Sequence, residues 1–130
     1  MRVLGIDPGT QRIGYGIVER EGNTLALVAS GLLPITTRGG EALREAKKEV
    51  DALVRKFNPD IAGIEKLFFA KNQKTAFSVA ETRGVILLSL LEYGIRVIEC
   101  APSEVKLAVT GYGLADKRAV LKVVRLSLNK

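Results

Sequence analysis

Ile61-Ala62-Gly63-Ile64-Glu65 is a short apolar run that ends in a carboxylate, bounded by Asn58-Pro59-Asp60 before it and Lys66 after it. It reads as a buried strand, Ile61 to Ile64, closed by Glu65. Upstream, Leu43, Ala46, Val50, Leu53, Val54 and Phe57 recur at three- and four-residue steps, with Arg44, Glu45, Lys48, Asp51 and Arg55 turned to water. That pattern predicts a long amphipathic helix, opened by Gly39-Gly40 and stopped by Asn58-Pro59-Asp60. A strand reached through such a crossover lies parallel to the first strand of the sheet.

Working outward, Val3-Leu4-Gly5-Ile6 is that first strand, ended by Pro8-Gly9. Ile13 to Glu19 is a second, and Glu21-Gly22-Asn23 turns the chain into a third, Thr24 to Leu33. The three form an antiparallel meander. Beyond Glu65, a loop from Lys66 to Asn72 precedes a second helix, about Lys74 to Tyr93, capped by Gly94. Ile95 to Cys100 is a fifth strand. A short helix from Pro102 to about Val109, the Gly111-Tyr112-Gly113 loop and a last helix from Ala115 to Leu128 complete the chain. The fold class is therefore α/β, one five-stranded mixed sheet with three antiparallel then two parallel strands and helices on both faces.

If the first and fourth strands are neighbours, their carboxyl ends lie about 5 Å apart. Asp7 closes one and Glu65 the other, at the edge where α/β sheets place ligands. Two such carboxylates repel unless a cation lies between them. Magnesium takes carboxylates, waters and phosphate oxygens, and ions so held can orient a water for phosphodiester cleavage. The alternative is structural: Asp7 supports the Pro8-Gly9 turn and Glu65 forms a salt bridge.

Composition narrows the chemistry. The 130 residues fit a single domain, 47% are hydrophobic and 26% charged, and Val85 to Leu91 is far too short to span a membrane. With one cysteine, Cys100, and no histidine, a structural zinc site is excluded and any metal is held by oxygen. No signal-peptide layout follows Met1, and the lone thiol suits a reducing cytoplasm.

The net charge of +6 allows a polyanionic partner. Lys66, Lys71, Lys74 and Arg83 surround the middle motif, where Phe68 or Phe69 could stack on an unpaired base or simply join the core. Lys106 and Lys117 flank the Gly111 and Gly113 loop as candidate phosphate grips, whereas Lys122 and Arg125 read equally well as a solvated helix face. The apolar run through Leu91 is either sandwiched within the monomer or packed against a second copy.

The sequence resembles the RuvC family of Holliday junction resolvases. The matching runs are Leu4-Gly5-Ile6-Asp7-Pro8-Gly9-Thr10, Gly14-Tyr15-Gly16, Pro59-Asp60 before Ile64-Glu65, Phe68-Phe69-Ala70-Lys71-Asn72, Thr75-Ala76, Arg83-Gly84-Val85, Val105-Lys106, Gly111-Tyr112-Gly113 and Ala115-Asp116-Lys117. The resemblance implies an RNase H-like domain over residues 1–130 and a cytoplasmic homodimer that binds four-way junctions and nicks two opposing strands with Mg²⁺ or Mn²⁺. It implies Asp7 and Glu65 as metal-binding catalytic acids. Phe68 is implied to stack on the junction and Lys106 and Lys117 to contact DNA, with Phe69, Lys71, Asn72, Lys74, Arg83, Gly111 and Gly113 in the same surface. The implied partners are RuvA and the branch-migration motor RuvB. Family members continue into a further helix with two more acids, whereas this sequence stops at Asn129-Lys130. The resemblance therefore implies a C-terminally incomplete core in which junction binding survives while metal affinity and cleavage are strongly reduced.

Three other functions compete. A catalytically silent junction-binding module would lack metal-dependent nicking. A nucleotide-binding protein of the actin and sugar-kinase class would use Pro8-Gly9-Thr10 as a phosphate loop, but 130 residues leave no room for its second domain. A nuclease of ribosomal RNA precursors is disfavoured by the Phe68–Asn72 run.

Overall fold

The computed structural model describes residues 1–9, 11–66 and 73–101, with the side chains of Gln73 and Lys74 outside that description. Seven elements follow in order: β1 (Arg2–Asp7), β2 (Arg12–Glu21), β3 (Thr24–Pro34), α1 (Gly40–Phe57), β4 (Ile61–Glu65), α2 (Gln73–Glu92) and β5 (Arg96–Cys100). They form one five-stranded sheet in the order β3-β2-β1-β4-β5. The first three strands pair antiparallel, while β4 lies parallel to both β1 and β5. This is the mixed sheet that the crossover through α1 requires.

The punctuation residues act as their chemistry predicts. Gly22 sits at φ +60° in the two-residue turn between Glu21 and Thr24, where a tight hairpin needs a left-handed residue. Asn58 ends α1 in the left-handed conformation, its N–H donating to the Val54 carbonyl at 2.8 Å. The Arg2 guanidinium donates to the Phe57 carbonyl at 2.8 Å, and the Arg2 N–H to the Asp60 carboxylate at 2.8 Å. The end of α1 is thereby tied to the start of β1. Between Ile17 and Val18 the β2–β3 register shifts, leaving Val28 as an extra residue on β3.

Strand alternation divides the sheet into two unlike faces. Leu4 and Ile6 of β1, Ile13 and Ile17 of β2, and Ala62 and Ile64 of β4 are buried with Ala46, Val50, Leu53 and Val54 of α1 and Ile86 and Leu90 of α2. Both described helices thus cover the same face, and the helices expected after Pro102 lie outside the described residues. The opposite face carries Gly5 and Asp7, their β2 partners Gly16 and Gly14, and Gly63 of β4, with no large side chain among them.

Two positions expected to face water do otherwise. Glu45 is half-buried and accepts hydrogen bonds from the backbone N–H and hydroxyl groups of both Thr36 and Thr37, at 2.7–3.0 Å. The Thr36 hydroxyl, first among these donors, holds the Glu45 carboxyl below its ordinary range. Asp51 pairs with Lys47 at 3.0 Å, and Lys47 reaches on to Glu92 at 2.9 Å and to the buried Ser89 hydroxyl at 3.4 Å. That ammonium joins α1 to α2, and Glu92, then Asp51, push its pKa up.

Candidate metal centre

β1 and β4 are adjacent and in register through Ile6 and Ile64, so Asp7 and Glu65 come next at the same level on neighbouring strands. Ile6 and Ile64 are buried under the helices; their successors therefore turn to the open face, and both are exposed. The two carboxylates line one shallow cavity of about 460 Å³ floored by Gly5, Gly14, Gly16 and Gly63. Cys100, opposite Glu65 in the β4–β5 register, completes its rim. A larger cleft of about 660 Å³ lies between Gln11, residues 35–40, Ala42 and Leu43 on one side and Ser78, Glu81 and Thr82 on the other, and among these lining residues Glu81 is the one carboxylate.

The loop after Asp7 is shaped by Gly9. A Cβ there would collide with the Arg12 carbonyl oxygen, so the backbone doubles back only with glycine in place. At Gly14 a Cβ would lie 3.6 Å from the Asp7 Cβ, an ordinary contact, while at Gly16 it would meet nothing. The floor is bare by residue choice and not by crowding.

The end of β4 is held from three sides. The β5 ladder pairs Glu65 with Cys100, the Lys66 N–H donates to the Cys100 carbonyl at 2.8 Å, and Arg83 Nε of α2 donates to the Glu65 carbonyl at 3.2 Å. Arg83 also pairs with Glu99 at 3.1 Å. Arg83, expected among the DNA-facing cations, is bonded in this structure to the Glu65 carbonyl of β4 and the Glu99 carboxylate of β5. Lys74 falls in the first turn of α2. Phe68, Phe69, Lys71, Asn72, Lys106, Gly111, Gly113 and Lys117 lie outside the described residues.

The donor set fits a hard divalent cation. Asp7 and Glu65 offer carboxylate oxygens on adjacent strand ends, the ligand type that magnesium and manganese prefer. Among the described residues no group of three or more His, Cys, Asp or Glu could hold a metal, so this pair alone supplies no complete shell.

Comparison with known proteins gives the same reading of fold and family. The family model described as crossover junction endodeoxyribonuclease RuvC matches residues 3–130. A protein of that name from Chloroflexus aggregans is 48% identical over 132 residues, spanning 98% of this chain and 79% of the relative. The structure of Thermus thermophilus RuvC superposes with a TM-score of 0.90 at 29% identity, over 99% of this chain and 81% of that one. The same protein in complex with Holliday junction substrate gives 0.91 at 28% identity, over 100% and 81%. The RNase H-like fold implied by the resemblance is the fold these structures share with the present one. The chain belongs to the crossover junction endodeoxyribonuclease RuvC family.

Proposed function

We propose that the protein is a structure-selective DNA endonuclease that binds four-way junctions and nicks two opposing strands by metal-dependent phosphodiester hydrolysis, in recombination and repair. Membership of a family of metal-dependent nucleases supports this reading, as does the likeness to a relative in complex with Holliday junction substrate. The observation that carries it is the placement of Asp7 and Glu65 side by side on an open, glycine-floored face.

Asp7 and Glu65 would hold Mg²⁺, or Mn²⁺ in its place. Such an ion, held by these two carboxylates, would help activate a water and neutralise charge on the phosphate. The protein's own residues supply position. Strand pairing fixes the two carboxylates relative to each other before any ligand arrives, which lowers the entropy lost on binding. Among the described residues, the glycines leave room for a sugar-phosphate backbone to approach the pair, with Leu32 beside Gly14. Lys71, Lys74, Lys106 and Lys117 are the proposed phosphate contacts, with Phe68 or Phe69 stacking on an unpaired base, and Asn72, Gly111 and Gly113 belong to the same surface.

The proposed homodimer has a physical basis on α2. Phe77, Gly84, Leu88 and Leu91 recur along one side of that helix, and the three large side chains are 78%, 50% and 64% exposed. An apolar stripe with a small residue near its centre suits close packing of a second helix, and two copies would present two cutting sites to one junction. RuvA and RuvB are the proposed assembly partners. Among the described residues no helix is long and apolar enough to cross a membrane, and a reducing cytoplasm is the proposed setting for the free thiol of Cys100.

The test is a gel shift and a nicking assay on one four-way junction, with a linear duplex as control. The protein is expected to retain the junction preferentially and to nick it only with divalent metal. Asp7→Asn and Glu65→Gln should lower nicking at least a hundredfold while junction binding without metal persists. Equal binding to duplex and junction, or undiminished nicking by either variant, would refute the reading.

A further inference from the structure

We infer that Arg83 is a positioning residue for the metal centre, holding Glu65 in place from behind the sheet. This inference rests on the metal-centre reading above. Glu65 is the last residue of β4, and the end of a strand is where backbone torsions loosen. A rotation of its peptide would swing the carboxylate away from Asp7. The Arg83 guanidinium opposes that rotation by donating from Nε to the Glu65 carbonyl at 3.2 Å, while its other arm pairs with Glu99 at 3.1 Å. The Arg83 side chain is only 14% exposed, whereas Glu99 is 46% exposed, so the arginine is the covered member of the pair. Glu99 sits opposite Ile64 in the β4–β5 register, on the helix-covered face, whereas the Glu65 carboxylate lies on the open one. A phosphate on the open face cannot reach this guanidinium without releasing both contacts.

Arginine suits the task because its rigid planar fork aims two donors in a fixed geometry, whereas a lysine ammonium is a point donor on a flexible stem. Removing the outer support of a metal ligand commonly weakens metal binding ten- to a hundredfold. The residue also lies beside Gly84 in the exposed stripe of α2.

Two measurements on Arg83→Met, Arg83→Lys and Glu99→Gln separate positioning from DNA contact. The first is Mn²⁺ affinity, read from the free-ion paramagnetic resonance signal without DNA. The second is metal-free junction affinity as a function of salt. Positioning predicts Mn²⁺ affinity reduced about tenfold or more in all three variants, with junction affinity within twofold and its salt slope unchanged. The lysine variant should fail although its charge is kept, and Glu99→Gln should fail although it removes a negative charge. Junction affinity falling several-fold in Arg83→Met, with a salt slope shallower by about one, would make Arg83 a phosphate contact and overturn the inference. Unchanged Mn²⁺ affinity in Glu99→Gln would overturn it as well. A wild-type protein that binds Mn²⁺ at Asp7 and Glu65 but ignores junctions would defeat the proposed function and leave this inference standing.

Discussion

Gly9 shows how one missing side chain sets the backbone geometry after Asp7. With a Cβ the turn would meet the Arg12 carbonyl, so Gly9→Ala must push the loop off Asp7. Overpacking of this kind costs about 1–3 kcal/mol. The variant is expected to melt several degrees lower and to need more Mg²⁺ for nicking; an unchanged melting temperature together with an unchanged Mg²⁺ requirement would count against the account. Pro8-Gly9 was legible in the sequence as the turn that ends the first strand. The bonding of Arg83 to β4 and β5 was not. A cation next to a basic motif looks like a DNA contact in one dimension, and only packing shows that its guanidinium ends beneath β4 and β5. Glu45 and Asp51 were read as facing water for the same reason, since polar positions on an amphipathic helix read as solvated until tertiary partners appear.

At the scale of elements, apolar spacing and turn residues were sufficient. β3, α1, β4 and β5 begin and end within a residue or so of the expected positions, because most of these boundaries carry Gly, Pro or Asn. The first two strands extend slightly further, to Asp7 and to Glu21, as pairing continues past the apolar run. Ion and hydrogen-bond contacts then lock α1 in place. The Glu45 carboxyl titrates below its ordinary value of 4.5, so its stabilising contribution is complete above that pH and is lost as the pH falls through the lowered value. Wild-type protein should therefore exceed Glu45→Gln in denaturant midpoint at neutral pH, with the gap closing under more acid conditions. A gap independent of pH would contradict this. Lys47 behaves in the opposite sense: its pKa is raised above 10.5, and its link to Glu92 and Asp51 persists until the pH climbs beyond that value.

For the molecule as a whole, the division of labour between the two sheet faces is the organising fact. One face is closed by α1 and α2 and provides stability; the other is glycine-floored and carries the acid pair. The outer stripe of α2 adds a third surface, apolar and directed away from both. Placing a charge there by Leu88→Glu is expected to shift sedimentation toward the monomer and to uncouple the two nicks on a junction, leaving the circular dichroism unchanged. A variant that sediments like the wild-type protein would remove α2 from the dimer. The most direct test of the central claim is anomalous diffraction from a crystal soaked in Mn²⁺. A manganese peak within bonding distance of both Asp7 and Glu65 carboxylates is predicted, abolished in Asp7→Asn; a peak elsewhere, with the two carboxylates bare, would contradict it.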